Sequence, residues 1–209
     1  GPFTSFLRVK HISEVFKNEY LDYLVLGEAD IALPQLIDEL ENGKKFEKIN
    51  NLCFLQNKRS VINEQKFVQA LNELPVPDFS QVDLNSYLVP ERILPVQTSR
   101  GCIWKKCYFC PHKENLKETY RSCSVEKIVF MLKTLSEKYN CSRFSFQDED
   151  IPPSKALKLS EGIISSCLKI NFAMLARPVS GYNDTVLLKK LRKAGCTLIQ
   201  WGVESGSQK

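Results

Sequence analysis

From residue 93 to the end of the chain, short apolar runs alternate with amphipathic stretches of helical period, and that alternation leaves few folds open. Residues 93–99, 143–147, 169–175 and 196–203 read as strands. Residues 124–139, 154–168 and 183–194 read as the helices between them. In the first of these, Val125, Ile128, Val129, Leu132 and Leu135 share one face. Gly195 stops the last helix. Strands separated by helices of this length pair in parallel through right-handed crossovers, so an α/β fold is expected.

The residues ahead of this rhythm differ in character. Residues 12–20 have a helical rhythm, 21–26 form an apolar strand ending at Gly27 and Glu28, and 31–42 place Leu33, Leu36, Ile37 and Leu40 on one helical face. From residue 48 the pattern breaks. A hairpin turning at 56–59 is followed by Pro75, Pro77 and Pro90, the best linker candidate in the chain. The expected division is therefore 1–47 as a small α/β piece, 48–92 as a linker region, and 93–209 as a β/α series.

Composition narrows the class. Hydrophobic residues at 43% and charged residues at 25% suit a soluble globular protein. A net charge of +5 is too small, and too evenly spread, to mark a nucleic-acid binder. No apolar run approaches the ~18 residues of a membrane span, and no signal-peptide pattern opens the chain. The only methionines are Met131 and Met174, and both ends read as cut. Eight cysteines would suit a secreted disulfide framework, but three of them crowd into one short loop, which is ligand spacing. A reducing cytoplasm is the expected compartment.

That loop, from Ser99 to Cys110, carries Cys102, Cys107 and Cys110 as C-x4-C-x2-C immediately after the first strand of the series. Thiolates suit zinc or iron–sulfur. Zinc needs a fourth ligand, which His112 or Cys123 offers. A plant-type [2Fe–2S] site shares the spacing but needs a distant fourth cysteine. A [4Fe–4S] cluster with three protein ligands and one open iron is the third option. Two features favour it: active sites of β/α folds lie at the C-terminal ends of the strands, and Trp104, Tyr108 and Phe109 would shield a cluster from water. Cys53, Cys141, Cys167 and Cys196 fall in apolar patterns and read as buried core thiols. Lys105 and Lys106 read as solvated loop charges.

The loop resembles the cluster loop of radical S-adenosylmethionine (SAM) enzymes, including the aromatic Phe109 before the last cysteine, although their commoner spacing is C-x3-C. Asp148, Glu149 and Asp150 after the second strand resemble the acidic motif that helps hold the SAM amino group, with Asp148 and Glu149 as the residues expected to touch it. Glu204, between Gly202 and Gly206, resembles the motif after the fourth strand, and Arg177 stands after the third. Residues 1–47, with Gly1, Pro2, Gly27 and Glu28, resemble the closing third of the cobalamin-binding domain that precedes many such barrels, and His11 reads as an ordinary surface histidine.

The resemblance implies the N-terminal half of a radical SAM partial (β/α)6 barrel, preceded by the C-terminal part of a Rossmann-like cobalamin-binding domain. The stretch from residue 93 holds about four β/α units, so the chain by itself is expected to be incomplete and inactive. Cys102, Cys107 and Cys110 would hold a [4Fe–4S] cluster, and Asp148, Glu149, Glu204 and Arg177 would position SAM. Reductive cleavage of SAM would start radical chemistry, with cobalamin-dependent methyl transfer as the natural outcome if the upstream domain binds cobalamin. A flavodoxin or ferredoxin would supply the electron, and neither nucleic acid nor membrane is an expected partner. The alternatives are a non-catalytic zinc or Fe–S module and a methylthiotransferase, which would call for a second three-cysteine site that Cys53 alone does not supply.

Overall fold

A computed structural model describes residue 12 and residues 14–16, 21–43, 45–110 and 119–207. His11, His112 and the first ten residues lie outside the described residues. The chain divides into two compact units, residues 1–70 with 105–118 and residues 71–104 with 119–209.

The first unit is built on a three-stranded sheet, β1 (Tyr23–Val25), β2 (Leu52–Gln56) and β3 (Arg59–Ile62), with helix α1 (Ala32–Asn42) between β1 and β2. Both pairings are antiparallel. The β2–β3 turn is only two residues long, Asn57 and Lys58, both at positive φ (52° and 62°), the geometry that matches strand twist in a tight hairpin. Side chains alternate across β2. Cys53 packs with Ile12, Phe16, Leu24 and Leu26 on one face, and Leu52 and Phe54 pack with Ala32, Leu36 and Ile49 on the other. Asn51 ties the end of β1 to the segment after β3: its side-chain amide donates to the carbonyls of Glu28 and Lys66, and its Oδ1 accepts from the Lys66 amide.

The expected boundary at 47/48 therefore falls inside one sheet. The hairpin read in the sequence is present, but it pairs with β1, and the sheet of this unit is antiparallel rather than the parallel order of a Rossmann-like domain.

In the second unit a four-stranded parallel sheet runs in the order β4 (Leu94–Val96), β7 (Arg143–Phe146), β8 (Asn171–Ala176), β9 (Cys196–Trp201). Helices α2 (Val125–Tyr139), α3 (Pro153–Ser165) and α4 (Thr185–Lys193) make the connections. Ser124 caps α2 by accepting from the Lys127 amide, and Asp184 caps α4 by accepting from Val186. A short antiparallel ribbon, β5 (Ser99–Arg100) with β6 (Arg121–Ser122), was not legible in the sequence. The cysteine-bearing segment leaves from β5, and the chain returns through β6.

The sheet has two unlike faces. Leu94, Val96, Phe144, Phe146, Phe172, Met174 and Ala176 are buried against the helices with Ile128, Leu132, Leu159 and Leu187. The alternate residues Pro95, Gln97, Ser145, Gln147, Ala173, Leu175 and Gln200 are half-buried or exposed on the other face. The proline-bearing segment is no free linker. Val76, Phe79 and Leu84 pack against this core, Phe79 meets Tyr139 edge-on at 5.7 Å, and the Leu74 carbonyl accepts from Lys127 Nζ at 2.6 Å. Among the described residues no helix is long and apolar enough to cross a membrane.

Candidate active site at the carboxyl edge of the parallel sheet

Parallel strands end together, so the segments after β4, β7, β8 and β9 gather along one edge of the second unit, where ligand sites of such sheets form. After β4 come Thr98, Ser99 and then Gly101, whose φ of 78° is a left-handed value that glycine adopts without strain, directly before Cys102. Cys102, Cys107 and Cys110 are each half-buried, and the Cys110 amide donates to the Cys107 carbonyl at 3.3 Å. Trp104, Tyr108 and Phe109, expected as a shield, are exposed.

All eight cysteines are free thiols. Cys53, Cys141 and Cys196 are buried as expected, and burial pushes the Cys53 and Cys196 thiols up to about 11. Cys167 is exposed instead, at the C-terminal end of α3 with a positive φ of 54°. Cys123 is half-buried, its thiol directed at the Leu71 carbonyl 3.9 Å away, and burial raises its pKa. Among the described residues no three His, Cys, Asp or Glu side chains gather into a metal-holding group. The loop's donor set, three soft thiols on one short segment, fits an iron–sulfur cluster better than a hard cation.

The acidic triplet after β7 divides between the two faces. Continuing the strand alternation, Asp148 and Asp150 turn to the helix side and are 3% and 2% exposed, while Glu149 is half-buried. Asp148 accepts from the Thr98 amide (3.2 Å), from Thr98 Oγ1 (2.7 Å) and from the Ser99 hydroxyl, and lies 3.8 Å from Lys155 Nζ. Lys155, in the first turn of α3, also donates to the Thr98 carbonyl at 2.8 Å. Burial lowers its pKa to about 8, with Asp148 opposing that shift. Asp150 takes the Arg177 amide (3.2 Å) and Arg177 Nε (2.8 Å). Arg177 in turn lies over the Trp104 ring, 4.9 Å from its centroid. Thr98 and Lys155 were not among the expected site residues, Asp150 stood in the acidic motif with no role of its own, and Trp104 was expected only as a shield. The signal for Asp150 was present in the alternation, because Phe144 and Phe146 are apolar at the same parity.

Glu204, after β9, is exposed with a positive φ of 62°. The Gly202 amide before it donates to the Ala176 carbonyl at 3.1 Å, joining the ends of β8 and β9. Beside α2 and α3 opens a cleft of about 510 Å³ lined by Ile103, Tyr120, Ser122, Cys123, Lys155 and Lys158, among others.

No family model matches the chain. An uncharacterized methyltransferase of Pyrococcus horikoshii, PH0819, is 29% identical over 194 residues, covering 90% of this chain and 41% of the relative. The solved structure of the cobalamin-dependent S-adenosylmethionine radical enzyme OxsB matches with a TM-score of 0.76 at 23% identity, covering 97% of this chain and 30% of that one. OxsB is also known with aqua-cobalamin and S-adenosylmethionine bound. The radical S-adenosylmethionine methyltransferase TsrM from Kitasatospora setae, with cobalamin and a [4Fe-4S] cluster bound, matches with a TM-score of 0.68 at 16% identity, covering 92% of this chain and 39% of that one. The chain thus spans less than half the length of each. Over more than nine-tenths of its length the chain has the fold of these two solved radical SAM enzymes.

Proposed function

We propose that this chain is the cluster-bearing part of a radical SAM enzyme, with Cys102, Cys107 and Cys110 holding a [4Fe–4S] cluster. The observation that carries the reading is the position of the C-x4-C-x2-C segment. It leaves β5 at the carboxyl edge of a parallel sheet whose fold matches OxsB and TsrM. When bound, such a cluster supplies the one electron that breaks the sulfur–C5′ bond of SAM, giving methionine and a 5′-deoxyadenosyl radical.

The chain's own residues have the tasks of binding and orienting. Glu149 and Glu204 are the carboxylates assigned here to accept the SAM ammonium or ribose. Arg177 and Asp148 complete the residues that the sequence resemblance assigns to SAM, although in the fold both are engaged with protein partners. Residues 1–47, although their sheet continues through the hairpin to Ile62, would belong to the end of a cobalamin-binding domain, and residues 93–209 would form the first four units of a partial barrel. Cobalamin-dependent methyl transfer, fed by a flavodoxin or ferredoxin in the cytoplasm, is the reaction this organisation supports, and the names of PH0819 and TsrM agree with it.

The test is anaerobic reconstitution with iron and sulfide. The expected result is a cluster carrying four iron and four sulfide per chain, lost in Cys102→Ala, Cys107→Ala and Cys110→Ala and retained in Cys123→Ala, whose thiol is spent on the Leu71 carbonyl. Stoichiometric zinc without iron, or equal loss in Cys123→Ala, overturns it.

A further inference from the structure

We propose that Asp148 and Asp150 are positioning residues that brace the start of the cysteine loop, Asp148 directly and Asp150 through Arg177 and Trp104. This rests on the reading of the loop as a cluster site, and it moves Asp148 and Arg177 from touching SAM to holding the segment that carries Cys102.

The first brace acts at the base of the loop. Asp148 accepts the Thr98 amide, the Thr98 hydroxyl and the Ser99 hydroxyl, and Lys155 takes the Thr98 carbonyl. The Cys123 amide donates to the same carbonyl at 2.9 Å, so the returning chain is pinned to the departing one. The polar groups of Thr98 are therefore all engaged three residues before Gly101 turns the chain into Cys102.

The second brace acts two residues beyond Cys102. Trp104 is 44% exposed. It is met by a guanidinium that a buried carboxylate fixes through Nε. An arginine so anchored is a rigid platform, because its planar head has already lost its freedom to Asp150. Asp148 and Asp150 belong to one short segment after β7, so a single segment clamps the loop on either side of its first cysteine.

Limited trypsin digestion of the chain tests the brace without iron, by timing cleavage after Lys105 and Lys106. Loss of a charge-assisted contact raises the open population, so Asp148→Asn, Asp150→Asn and Trp104→Ala are expected to be cut about tenfold faster than wild type. Trp104→Phe keeps a ring under Arg177 and is expected to stay near the wild-type rate. If Asp148→Asn fails to fold because Lys155 loses its buried partner, Trp104→Ala decides, since Trp104 is not part of the hydrophobic core of the second unit. Wild-type cleavage rates in Trp104→Ala and Asp150→Asn overturn the brace. In reconstituted protein, Trp104→Ala is expected to take up less iron and to shift the electron paramagnetic resonance of the reduced cluster; an unchanged signal at full iron content overturns the link to the cluster. A wild-type chain that takes up no iron, with variants that still open faster, leaves the brace standing and overturns the cluster reading alone.

Discussion

Asp148 receives both the backbone amide and the side-chain hydroxyl of Thr98, two donors of one residue on one buried carboxylate fifty positions later in the chain. The pair joins the ends of β4 and β7 at the edge where the cysteine loop departs. Thr98→Val keeps the shape and removes one donor, leaving a buried charged oxygen short of a partner. Destabilisation of about 1–3 kcal/mol is expected, with Thr98→Ser close to wild type; urea denaturation of the three proteins checks it.

Gly195 sits at φ 100° between α4 and β9, and a Cβ there would lie 1.9 Å from the Ile170 carbonyl oxygen. Neither the backbone of β8 nor the positive φ gives way cheaply. Gly195→Ala is expected to cost about 2–4 kcal/mol. Thermal unfolding measures it, and a melting temperature equal to wild type would show that the β8–β9 junction is more pliant than its packing indicates.

Cys53 is 0% exposed at the centre of the first unit, and burial raises its thiol from 9.0 to about 11. The folded chain keeps a proton that the unfolded chain releases, so this contribution is whole below pH 9 and is lost as pH rises through 11. Its size is on the order of 2 kcal/mol. Stability measured at pH 8 and pH 11 should fall less in Cys53→Val than in wild type; parallel falls would exclude the thiol as the cause.

Glu149 and Glu204 stand at the strand ends on the proposed SAM side. Replacing either by Gln removes a charged acceptor worth ~1.5–3 kcal/mol, or roughly ten- to a hundredfold in affinity. SAM binding and iron content are to be read on the same reconstituted samples. Weaker SAM binding at full iron content is the expected outcome for both; unchanged affinity in both removes them from the site.

Much of this protein was legible from local pattern. The helices at 125–139 and 185–193 and the strands at 143–146 and 196–201 lie within a few residues of their expected bounds. Apolar periodicity and capping side chains act over a few residues and can be read along the chain. The spacing of Cys102, Cys107 and Cys110 was legible for the same reason.

Contacts between distant residues were not legible in this way. The proline-bearing segment looked like a linker because prolines break regular structure, yet Val76, Phe79 and Leu84 had a core to bury against. The triplet from Asp148 to Asp150 looked like one acidic motif, but burying a carboxylate requires partners. Those partners, Thr98, Lys155 and Arg177, come from three other segments. The sequence by itself determined the order of strands and helices and the thiols between them, because those follow from neighbours along the chain. Only the tertiary structure decided which carboxylates turn inward, because that depends on which donors the sheet and helices bring within hydrogen-bonding distance.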